Sequence, residues 1–134
     1  MPTLYICSFA AAVHSGAPGR VSITRFPPRW WDGPHYVPLV PNWRFRSVPR
    51  DRYEDLYAAQ LAKLDARKVV EDLIRLANSD SVTLLCHDHC RDAPVAQAWC
   101  HHLYAVSWLQ HKLAVAVLDW EGAKRQHYQR AATK

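Results

Sequence analysis

Apolar positions along this chain recur with two different periods, and the alternation between them predicts strands separated by helices. Thr3–Phe9 is almost continuously apolar and rich in aromatic and β-branched residues, the pattern of a strand covered on both faces and central in its sheet. A small-residue loop holding Gly16, Pro18 and Gly19 leads to Val21–Thr24, which predicts a second strand with Val21 and Ile23 on one face. From Asp51 to Leu64 the spacing turns helical: Tyr53, Leu56, Tyr57, Gln60, Leu61 and Leu64 form one mostly apolar stripe. Asp65 is positioned to cap a second helix whose buried face is Val69, Val70, Leu73, Ile74 and Ala77, ended by Asn78-Ser79-Asp80. Val82–Cys86 predicts a third strand, Asp92–Leu113 the longest helix, and Ala114–Leu118 a last short strand.

This order predicts an α/β fold: a single compact domain over residues 1–120, with a mostly parallel sheet of about four strands flanked by helices and joined by right-handed crossovers. Residues 121–134 are polar, basic and without an apolar stripe, and read as a flexible tail. Between Phe26 and Pro49 the density of Pro and Trp excludes a regular helix, while the aromatic content argues for a structured loop. Loops of this length in compact domains are commonly functional.

Composition narrows the setting. The 134 residues are 49% hydrophobic, enough for one core. The longest apolar runs, such as Ser81–Cys86, are far short of the roughly 20 residues a membrane-spanning helix needs, so a soluble protein with no membrane partner is expected. The N-terminal Met-Pro-Thr-Leu-Tyr-Ile-Cys lacks the basic start and cleavage site of a secretory signal, which points to the cytoplasm. Cys7, Cys86, Cys90 and Cys100 fall in or beside predicted regular elements, and are expected to be free thiols. A formal charge of +5 favours association with anions, among which nucleic acid is one candidate partner.

The chemistry concentrates in Val82-Thr-Leu-Leu-Cys-His-Asp-His-Cys-Arg-Asp-Ala-Pro, a strand passing through a short polar loop into a helix. Ligands of open α/β sheets gather beyond the carboxyl ends of the strands, where a helix N-terminus also offers unpaired N–H groups. A thiolate at Cys86 or Cys90 would be favoured by that helix end, by Arg91 and by a protonated His87 or His89, so either cysteine is a candidate nucleophile or ligand contact and His89 a candidate proton carrier. Asp92 caps the following helix. The competing account makes Cys86 a buried strand residue and leaves His87, Asp88 and His89 solvated. A zinc set drawn from Cys86, His87, His89 and Cys90 lacks the second separated ligand pair of structural zinc sites, so no metal and no cofactor is expected. Arg25, ending the second strand, is a candidate for holding an anion at the same edge, and Trp30 and Trp31 for stacking on a ring or plugging the core. His101 and His102 point about 100° apart on their helix and read as packing residues.

The order of these features resembles the bacterial and viral proteins of domain-of-unknown-function family 488. The pieces that carry the resemblance are Tyr5-Ile6-Cys7-Ser8-Phe9, Val21-Ser22-Ile23 with Pro28 to Trp31, Tyr53-Glu54-Asp55, Leu84-Leu85-Cys86 and Cys90-Arg91, spanning about Leu4 to Leu118. Here the loop histidine, His89, precedes its cysteine, where family members place it after. The resemblance implies a compact α/β fold and directs attention to the Cys86–Arg91 loop. The resulting candidate set is Cys86, Cys90 and His89 for chemistry, with Ser8, Arg25, Trp30, Trp31, His87, Arg91 and Asp92 for binding a small anionic ligand such as a nucleotide or nucleoside derivative. The alternative expectation is a non-enzymatic interaction protein, viral or defence-related, that engages nucleic acid or an acidic partner through its basic surface.

Overall fold

The apolar runs predicted as strands lie side by side. In the computed structural model, which describes residues 2–42, 45, 48–86, 101–113 and 115–120, β1 (Thr3–Ser8), β2 (Arg20–Ser22), β3 (Ser81–Cys86) and β4 (Ala116–Asp119) form one parallel sheet in the order β2-β3-β1-β4. Connecting them are α1 (Phe9–Ser15), a 3-10 turn (Val37–Leu39), α2 (Arg50–Ala62), α3 (Ala66–Ala77) and α4, described from His101 to Leu113. The α/β architecture and the interior position of β1 match the reading of the apolar pattern. No helix among the described residues is long and apolar enough to cross a membrane. The predicted tail, 121–134, and the first part of the long predicted helix, 92–100, lie outside the described residues.

Alternation along the strands divides the core in two. Leu4, Val21, Val82 and Leu84 face a large cluster that also takes Tyr57 and Leu61 from α2, Val69 and Leu73 from α3, and Leu109 from α4. Cys7 and Leu85 face the other way, into a small cluster with Phe9, Ala12 and Ala17 around α1. Topology accounts for the split: the path from β1 to β2 and the path from β3 to β4 cross the sheet in opposite directions, so right-handed crossovers put α1 on one face and α4 on the other. Each fully buried aliphatic side chain in these layers contributes about 1.5–3 kcal/mol, and the three-helix face holds most of them.

The structure departs from the apolar pattern at Phe9–Ser15, where the expected strand end and small-residue loop are replaced by α1. The Ser8 hydroxyl accepts a hydrogen bond from Ala11 N at 3.3 Å and starts the helix, Ala10-Ala11-Ala12 favour it, and Gly16, left-handed at φ 67°, closes it. Seven residues give too few repeats for a helical period to stand out. Elsewhere the caps follow expectation: Asp65 accepts from Arg67 N at 3.0 Å to open α3, and Asn78, at φ 51°, ends it. β2 is shorter than predicted, although Ile23 N still donates to Leu85 O at 3.3 Å.

The Pro/Trp-rich segment is structured where described. Tyr57 donates from within α2 to Leu39 O at 2.6 Å, and Gln60 Nε2 donates to Val40 O at 2.7 Å. Tyr36 donates to Asp72 at 2.8 Å on α3, which holds the Asp72 carboxyl below the usual carboxylate range; Lys68 and Arg75 add to that effect.

Gly19 marks where β2 meets the sheet. Its carbonyl accepts from Thr83 N at 2.9 Å, its φ is +53°, and a Cβ there would collide with the Ser81 carbonyl oxygen. Gly19→Ala is therefore expected to destabilise the fold by at least about 1–3 kcal/mol, read as a lower urea midpoint with an unchanged slope. A midpoint equal to the parent's would show that the β2 entry is not confined in this way.

Candidate functional site

Parallel register brings three strand ends together. β1 and β3 run in step from Thr3 beside Ser81 to Ser8 beside Cys86, so both reach the carboxyl edge at the same level. β2 follows β3 to the same edge, with Ser22 beside Leu85 and Ile23 bonded to it. From this edge the chain leaves β1 toward α1 on one face, while the connection from β3 leads to α4 on the other. Adjacent parallel strands whose connections lead to opposite faces are the place where open α/β sheets receive ligands.

Among the sequence-predicted residues, Ser8 and the backbone of Cys86 are side by side at this edge. The Ser8 hydroxyl caps α1. Trp31 and Trp30 meet the same place through Phe9, the buried residue next to Ser8: ring centroids are 5.5 Å apart for Phe9–Trp31 and 6.2 Å for Phe9–Trp30, both edge to face. The two tryptophans differ in role. Trp31 is half-buried, donates from Nε1 to Pro34 O at 3.3 Å and lies across Gly33, where a Cβ would come within 2.5 Å of its ring. Trp30 is 55% exposed and leaves much of its ring free for stacking. Arg25 turns aside, donating to Pro41 O at 3.2 Å and lining a groove beside α2. His87, His89, Cys90, Arg91 and Asp92 lie outside the described residues, as does the side chain of Cys86. The described residues contain no cluster of three His, Cys, Asp or Glu side chains suited to a metal ion.

Residues not singled out by the sequence complete the edge. Thr24 is only 9% exposed and its hydroxyl oxygen has no hydrogen-bond partner, although its N–H donates to Ser22 Oγ at 3.3 Å. A buried, unpaired hydroxyl costs about 1–3 kcal/mol, so one kept at a strand end is a natural contact for a polar ligand atom. His35 Nδ1 lies 3.1 Å from Ser22 Oγ, and the flanking backbone pairs with β2 through Ser22 N to Pro34 O and Tyr36 N to Ser22 O, each 2.9 Å. The sole sequence signal for Thr24 was its place at a strand end; His35, inside a Pro-rich loop, carried none.

The chain matches no protein-family model, no curated protein and no solved structure.

Burial, followed by the charge of Arg25, lowers the His35 pKa below its usual 6.5. The folded protein thus resists a proton that the unfolded chain takes up, and stability is lost as pH falls below about 6.5. Melting temperatures are expected to drop between pH 7.5 and 5, and His35→Gln to flatten that part of the profile; an equal slope in parent and variant would remove His35 as the cause.

Proposed function

We propose that this chain binds a small anionic ligand, a nucleotide or nucleoside derivative, at the carboxyl edge shared by β1, β2 and β3. The observation that supports it most is the pairing of Ser8 with Cys86 at the carboxyl edge, with Ile23, the residue before the unpaired Thr24, bonded to Leu85, and the exposed Trp30 ring packed on Phe9, the residue after Ser8. Trp30 offers a stacking surface for a base, and Thr24 a hydrogen bond to a sugar or base atom. The loop from Cys86 to Asp92 enters on its sequence: it continues from this edge, and Arg91 supplies the charge that an anionic group requires, with His87 and Asp92 as further contacts. Cys86 or Cys90 would serve as ligand contact or nucleophile, and His89 as proton carrier. Membership of family 488 belongs to the same proposal and rests on the motifs already quoted.

The test is mass spectrometry of small molecules released by heat from the natively purified protein, followed by titration of the compound found into Thr24→Val and Arg91→Ala variants. Thr24→Val is expected to leave the ligand-free fold as stable as the parent or more so, because it removes an unpaired buried hydroxyl, and to weaken ligand binding roughly tenfold. Arg91→Ala is expected to lose binding while remaining folded. A protein that carries no small molecule and shows no affinity for a nucleotide panel contradicts the proposal, as does binding indifferent to both substitutions.

A further inference from the structure

A second surface, away from the strand ends, has the form of a binding groove. Along one side of α2 run Arg52, Leu56, Ala59, Gln60 and Lys63, spaced four, three, one and three residues apart, so they share one helix face. The facing wall is formed by Val37, Val40, Asn42, Phe45 and Val48, which complete a groove of about 710 Å³. That wall is held in place from α2: Tyr57 and Gln60 donate to Leu39 O and Val40 O, and Gln60 Oε1 accepts from Asn42 N at 3.1 Å. Phe45 is set by an edge-to-face contact with Tyr53, ring centroids 6.2 Å apart. The groove is therefore formed before any partner arrives, which lowers the ordering cost of binding.

Its charge is one-sided. Arg52, Lys63 and Arg25 line it, no carboxylate among the described residues does, and none of the three is in an ion pair there. Arg52 and Lys63 are separated by eleven residue steps of helix, about 16 Å at 1.5 Å per residue, with Leu56 and Ala59 between them. This distance matches about five residues of extended chain. A nucleic-acid strand would place a phosphate over the apolar middle, and it would find Phe45 as the one aromatic ring lining the described groove.

We propose that this groove docks an extended acidic segment of a partner protein, with carboxylates at both ends facing Arg52 and Lys63 and apolar side chains between them over Leu56 and Ala59. The surface is distinct from the candidate site at the strand ends, and either can fail without the other. Leu56, counted from the sequence as part of a single apolar stripe, thereby separates from Tyr53, Tyr57 and Leu61, which enter the core.

The experiment is selection of a random octapeptide library on the full chain, followed by affinity measurement of the recovered peptides on the parent and on Arg52→Glu, Lys63→Glu and the double variant. Both positions are exposed, and unchanged circular dichroism and melting temperature will show that the variants fold. Recovered peptides are expected to carry Asp or Glu on both sides of an apolar centre, to lose about tenfold in affinity in each single variant and more in the double one, and to bind more weakly at high salt. Arg91→Ala is expected to leave peptide binding unchanged. Selection that yields no acidic consensus, or a consensus that binds the double variant as well as the parent, overturns the proposal. So does a single-stranded oligonucleotide that binds the parent, loses affinity in the same variants and is matched by no acidic peptide.

Discussion

Burial of β1 on both faces is the constraint on which the rest of this structure depends. A strand with β3 on one side and β4 on the other satisfies its backbone groups in the sheet, but its side chains alternate, so each face needs its own apolar cover. Leu4 is covered by the helical layer and Cys7 by the α1 cluster, and both are almost completely buried. Parallel pairing then requires crossover connections, and their fixed hand distributes the helices between the two faces. The chain from Phe9 onward must turn back at once to cover the thinner face, which is why a Ser-capped helix begins where β1 ends.

The same constraint creates the candidate site. Strands that start in register also finish in register, so Ser8 and Cys86 reach one edge together, at the level where the chain leaves β1 for the α1 face and β3 is followed by the α4 face. The thin face is completed by aromatic side chains in place of further helices. Trp120 packs edge to face on Tyr5 with ring centroids 5.0 Å apart, and Trp31 closes over Phe9. The Pro/Trp-rich segment thus has structural work at both ends. Its first part seals the α1 cluster beside the strand ends, and its later part is tied to α2 and walls the cationic groove.

Much of the fold was legible because the signals that reveal it are periodic and long enough to repeat. The near-continuous apolar run of β1 announced its central position, and Asp65 and Asn78 bounded α3 by their capping chemistry. α1 escaped because two turns of Ala and Phe next to a strand look like more strand or loop until the Ser8 cap is seen. The candidate site was legible in part. The Pro/Trp composition marked Trp30 and Trp31, but the register that sets Ser8 beside Cys86 and the division of labour between half-buried Trp31 and exposed Trp30 depend on the folded chain. Arg25 was expected at the strand edge because it follows β2; the guanidinium instead reaches Pro41, since a long side chain can swing away from the strand that carries it. Beyond the strand-end position of Thr24, nothing in the sequence marks Thr24 or His35, because what distinguishes them is a missing partner in one case and burial near a charge in the other.

Both proposed surfaces stand on the arrangement of β1 between β3 and β4, which nuclear Overhauser spectroscopy of the labelled protein measures directly. The account predicts cross-strand backbone contacts that link Ile6 to the neighbourhood of Leu84 and Leu4 to that of Val117, in the staggered pattern of parallel strands. Contacts of antiparallel pairing, or a β1 with one neighbouring strand, would contradict it.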